Sequence, residues 1–143
     1  MLAIRRGDAL DVPDPLPPAL LEARDRVAAD FGLPEDWLNA GPRSLLDFGR
    51  PAGFVERLEA REYGEALTVH FASRVDQIHF KLYAVVDQGL GKHEADLRAL
   101  APTPDELLDA ARWTRTHDPS SGFADELRRV LADFGVSDAD LGD

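Results

Sequence analysis

The stretch ALTVHFASRVDQIHFKLYAVVDQ, residues 66–88, decides the fold. In its first part Leu67, Val69 and Phe71 alternate with Thr68 and His70, the period of a strand with one face buried. Ser73 and Asp76 then stand three apart, a pattern in which a serine hydroxyl caps the first turn of a helix. From there the apolar residues run at helical spacing. Ile78, Phe80, Leu82, Tyr83, Val85 and Val86 cover most sides and leave one narrow polar stripe through Gln77, Lys81 and Gln88. A helix patterned in this way is expected to be largely buried.

Working outward toward the N-terminus, residues 1–12 predict two short strands around a turn at Arg5-Arg6-Gly7-Asp8. The proline-rich run 13–18 is a stiff extended connector, because proline fixes φ and removes backbone donors. A helix is predicted from Pro18 to Phe31, with Leu20, Ala23, Val27, Ala28 and Phe31 on one face and Gly32 as its stop. Residues 34–39 read as a short helical turn in which Trp37 anchors against the core. Gly41-Pro42 and Gly49-Arg50-Pro51 punctuate a loop, and Phe54, Val55 and Leu58 fit one short helix.

Toward the C-terminus, Gly89-Leu90-Gly91 links to a short helix from His93 to Leu100. Thr103-Pro104-Asp105-Glu106 is a compact helix start: threonine at the cap, proline at the first position, glutamate at the third. That helix is expected to reach Thr116. A final amphipathic helix carries Phe123, Leu127, Val130, Leu131 and Phe134 and stops at Gly135. Residues 137–143 form an acidic tail expected to fray. The fold class is therefore α/β in the α+β sense, helix-rich, with a small, mostly antiparallel or mixed sheet and a helical C-terminal part. Residues 1–136 read as one domain.

The chain has 143 residues, 16 Lys plus Arg, 27 Asp plus Glu and a formal charge of −11. That balance argues against bulk binding of nucleic acid. The absence of cysteine removes disulfides, thiol catalysis and thiolate zinc sites. Residues 1–7 hold no long apolar core of a signal peptide, and no apolar run is long enough to span a membrane. A cytoplasmic protein without a membrane partner is the expectation. Acid is unevenly spread: residues 74–117 hold six basic and seven acidic residues, the remainder ten and twenty. The centre of the chain is thus the place for an anion.

No self-sufficient catalytic motif is present, neither a phosphate-binding P-loop, nor Gly-x-Ser-x-Gly, nor His-Glu-x-x-His. The histidines His70, His79, His93 and His117 show no helical i, i+4 pairing. They would need the fold to gather them with Asp87 or Asp96 to bind a metal, and separate structural roles are the simpler reading. Lys81 lies inside an apolar helix, where a cation is costly unless it reaches water, a carboxylate or an anion. Lys92, His93, Asp96 and Arg98 form a second group, with Lys92–Asp96 and Glu94–Arg98 each spaced four apart as solvated ion pairs. Trp113 reads as a core aromatic.

Three segments in order carry a resemblance: PEDWLN at 34–39, DQIHFKLYA at 76–84 and KHEADLRAL at 92–100. This series resembles a bacterial family of nucleotidyltransferase-like proteins of uncharacterised function, related to the AbiEii toxin type of the nucleotidyltransferase superfamily. The resemblance covers residues 2–136. It implies a nucleotidyltransferase-like fold, Mg2+ and a nucleoside triphosphate. It also implies a phosphate-contacting role for Lys81, with Lys92 beside it, and Asp96 as the acid that completes a catalytic site. The chain departs from the family pattern at its start. The Gly-Gly turn and the Asp-x-Asp strand lie upstream of the matched segment, and Asp8 and Asp11 do not reproduce them. The expectation is a domain truncated at its N-terminus, without metal ligands, inactive as a transferase and left with an open sheet edge. A non-enzymatic binding or assembly protein is the alternative: a homodimer through that edge, or a toxin–antitoxin-type partner.

Overall fold

The computed structural model describes residues 2–6, 9–11, 15–38, 40, 45–46, 49–65, 67–89 and 91–137. Their contacts gather into two compact units, residues 1–48 with 59–71 and residues 49–58 with 72–143. Residues 138–143 of the acidic tail lie outside the described residues.

The first unit is built on a four-stranded antiparallel sheet. Strands β1 (Leu2–Arg6) and β2 (Ala9–Asp11) pair in the register Ile4↔Asp11, as two short strands about a reversal. Strands β3 (Glu59–Tyr63) and β4 (Leu67–Phe71) pair as a second hairpin, Glu59↔Phe71 to Tyr63↔Leu67. Gly64, at φ +70, takes the left-handed backbone that opens this reversal. The hairpins join through β1 and β4, with Leu2↔Phe71 and Ile4↔Val69, and the spatial order is β2-β1-β4-β3. The register places Glu59, Arg61, Val69 and Phe71 on one face. There the Arg61 guanidinium stands 5.2 Å from the Phe71 ring centre. Strand β4 matches its sequence alternation. Strand β3 was not expected, because Glu-Ala-Arg-Glu-Tyr carries no apolar alternation; it is an edge strand with all five residues exposed.

Helix α1 (Pro18–Phe31) has the expected bounds, with proline at its start and Gly32 at φ 63 donating its N–H to the Ala28 carbonyl. Its apolar face is less covered than the spacing implies. Ala28 is its one buried residue, and Phe31 is 75% exposed. Phe31 is the last helical residue before the left-handed cap at Gly32. Trp37 is also exposed rather than set in the core, and its indole N–H donates to the Arg24 carbonyl at 3.1 Å.

The second unit is helical. Residues 52–57 form consecutive turns where a short helix was expected. Gly53, at φ +70, interrupts helical backbone there, and Phe54 N–H returns to the Pro51 carbonyl at 3.0 Å. Helix α2 (Arg74–Gln88) begins at Ser73, whose hydroxyl accepts from the Asp76 N–H, as the capping pattern indicated. Helices α3 (Lys92–Ala99), α4 (Pro104–Arg115) and α5 (Ser121–Asp133) follow. Thr103 and Glu106 close a complete capping box at α4. The core is the seam between these helices, with Ile78, Leu82, Val85, Leu97, Leu107 and Leu127 at or near zero exposure. Burial of each such side chain contributes about 1.5–3 kcal/mol before chain entropy is counted. The α+β, helix-rich class and the antiparallel sheet therefore stand. Among the described residues, no helix is long and apolar enough to cross a membrane.

Candidate functional site

Lys81 projects from the polar stripe of α2, between the buried turns at Ile78 and Leu82. After Gln88 the chain reverses through Gly89, whose φ of +84 suits glycine, and α3 comes back against α2 with Leu97 fully buried. That reversal brings Asp96 onto Lys81 although fifteen residues separate them in sequence. The Lys81 ammonium donates to Asp96 Oδ2 at 2.6 Å, with the two side chains 30% and 39% exposed. Charge-assisted bonds have this length. At this exposure the pair is worth no more than about 1 kcal/mol of stability.

The Lys81 hydrogen bond holds the Asp96 carboxyl below the usual aspartate range. The charges of Lys81, Lys92 and His93 reinforce it, and partial desolvation opposes them. Lys92 is exposed at the first residue of α3, so its partner relation to Asp96 is a longer-range one than the expected i, i+4 contact. The companion pair Glu94–Arg98 forms as the spacing indicated, at 2.9 Å. His93 lies half-buried with Nε2 3.2 Å from Gln88 Oε1, while its Nδ1 is buried without a hydrogen-bond partner among the described residues. Among the described residues, the direct contact here is thus the Lys81–Asp96 pair alone, with Lys92 acting on it through its charge.

A second polar group was not legible in the sequence. Asp76, which the spacing identifies only as part of a cap, is fully buried. Its carboxylate accepts from Arg57 Nε at 3.3 Å, from Arg57 Nη2 at 2.5 Å and from the Ser73 hydroxyl at 2.5 Å. Arg57 also donates to the Ala52 carbonyl at 2.7 Å, so one guanidinium fastens the turns of residues 52–57 to the start of α2. Beside it Phe54 packs edge-on to Phe80 at 5.8 Å, and Phe80 likewise to Trp113 at 5.6 Å. His79 and His117 both stand against the Trp113 ring, at 5.7 and 4.2 Å, which gives Trp113 the packing role expected of it. His79 and His117 thus share one aromatic neighbourhood, while His93 stands beside Gln88 and His70 lies on β4.

Mg2+, which the resemblance implies, does not fit the residues described. No three His, Asp or Glu side chains among them converge as ligands. Asp96 is already bonded to the Lys81 ammonium, which competes with a divalent cation for its carboxylate. Asp8 lies outside the described residues, and Asp11 ends strand β2. Compared with known proteins, the chain matches no family model, no curated protein and no solved structure.

Proposed function

We propose that this chain is a nucleotidyltransferase-like domain that holds the phosphates of a nucleotide through Lys81 and Lys92 rather than transferring them. The observation that carries the reading is the meeting of Lys81 and Asp96, from separate helices, beside the charge of Lys92. These are the lysine and the acid that the resemblance assigns to one site. A partly exposed ammonium fixed at its base by a packed helix is a suitable phosphate contact, and it requires no metal. In this reading the protein works in the cytoplasm, where nucleoside triphosphates are abundant. Calorimetric titration with ATP and GTP, with and without Mg2+, tests it. Binding that is independent of Mg2+ and lost in Lys81→Ala is the expected result; no heat with either nucleotide would overturn it.

A second reading is favoured by strand β3, which lies at the sheet edge with all five residues exposed. An unpaired edge offers backbone donors and acceptors to another strand. In that reading the protein is an assembly module, a homodimer joined edge to edge or a toxin–antitoxin-type partner. Light scattering across a concentration series separates the two: a monomer at every concentration excludes the homodimer.

A further inference from the structure

We infer that Asp96 is a built-in competitor at this anion site: its carboxylate occupies the ammonium of Lys81 that a phosphate oxygen would take, and a phosphate binds by exchanging with it. The inference rests on the nucleotide-holding reading of Lys81 and Lys92. It adds that the resting site is closed by the protein's own acid.

The geometry points this way for three reasons. Asp96 Oδ2 sits 2.6 Å from Lys81 Nζ, so although the ammonium keeps two further N–H donors, a phosphate oxygen that takes one of them is brought against the negative carboxylate and repelled by it. Both side chains are partly exposed, at 30% and 39%, so the exchange needs only a rotamer change at the rim and no opening of the core. Lys92, at the head of α3, adds a second positive charge that favours the ionised carboxylate. Once Asp96 swings away, an incoming phosphate meets the Lys81 ammonium without the carboxylate, with the positive charge of Lys92 on the same helix as Asp96. The ligand class is therefore a polyphosphate, for which pyrophosphate is the minimal probe.

The sign of one substitution separates this role from the one the resemblance implies. An acid that completes a binding or catalytic site strengthens its ligand, so its removal weakens binding. A competitor does the opposite. Asp96→Asn keeps the side-chain shape and removes the charge, and Asp96→Ala removes the side chain as well. The pair contributes little to stability, and circular dichroism of both variants verifies the fold.

The experiment is calorimetric titration of the full chain with sodium pyrophosphate and with ATP, in Mg2+-free buffer. We expect both Asp96 variants to bind about tenfold more tightly than the parent chain, with the gain abolished in Lys81→Ala/Asp96→Asn. Parent binding that is unchanged or weakened by Asp96→Asn overturns the competitor role and leaves the nucleotide reading standing. Tighter binding that survives Lys81→Ala also overturns it, because the anion then lands elsewhere. No binding by the parent or by either Asp96 variant overturns both.

Discussion

Arg57 and Asp76 show how a single buried charge organises its neighbours. Asp76 has no exposed surface, and its carboxylate is satisfied by one guanidinium and one hydroxyl. Removing one partner of such a pair leaves a buried charge uncompensated, which costs far more than the pair contributes. Arg57→Ala is therefore expected to lower stability by about 3 kcal/mol in urea denaturation, and Arg57→Ala/Asp76→Asn to recover part of that loss. Gly53 belongs to the same arrangement. Its φ is +70, and a Cβ there would meet Arg57 Nη1 at 2.6 Å. Gly53→Ala is expected to cost about 1–2 kcal/mol through the left-handed backbone alone, plus whatever displacing the guanidinium adds. The second part should vanish when Arg57 is already alanine. A double-mutant cycle measures it: equal costs of Gly53→Ala in both backgrounds would mean that the guanidinium contact carries no weight.

Among the elements, the start of α4 is the most strongly tied. Glu106 closes the capping box on Thr103 and accepts from both Nη atoms of Arg74, at 2.6 and 3.0 Å. Arg74 also donates to the carbonyls of Leu100 and Ala101, so it joins the end of α3 to the beginning of α4. The Arg74 hydrogen bond, then the Thr103 backbone N–H, lower the Glu106 carboxyl from 4.5 to about 2. A depressed carboxyl contributes its stability in full above its unfolded value and loses it as the pH falls toward the folded one. Stability should therefore decline between pH 4.5 and about 2, and Glu106→Gln should flatten that part of the profile. Urea midpoints measured from pH 6 to pH 2 test this; identical acid limbs in the two proteins would refute it. Elements with such local signals were legible in the sequence: α1 by its proline and glycine, α2 by Ser73, α4 by its capping box. Strand β3 was not, because an edge strand exposed on both faces needs no apolar alternation. The turns at 52–57 were misread as a helix, because spacing alone does not reveal the backbone that Gly53 adopts. At the candidate site, Lys81 and Asp96 stood out by position. Their contact was illegible, since it depends on how the link at Gly89 folds α3 back onto α2.

At the scale of the whole molecule, the formal charge of −11 acts differently on the two proposed functions. The acid is shared between the units: the sheet-bearing unit holds six basic and twelve acidic residues, the helical unit ten and fifteen. Two copies meeting edge to edge at β3 bring like-charged units together, and their repulsion is long-ranged at low ionic strength. Added salt shortens the screening length from about 30 Å at 0.01 M to about 8 Å at 0.15 M, so it should promote that association. A phosphate held by Lys81 and Lys92 responds in the opposite way, because salt weakens an exposed attraction between opposite charges. The proposals are thus separable by one variable. Between 0.01 and 0.15 M NaCl, nucleotide affinity is expected to fall, and any edge-paired dimer is expected to become more populated. Titration calorimetry and light scattering on the same samples read both. A nucleotide affinity that does not fall with salt would remove the ammonium–phosphate contact, and a dimer that weakens with salt would remove charge repulsion as the force restraining the edge.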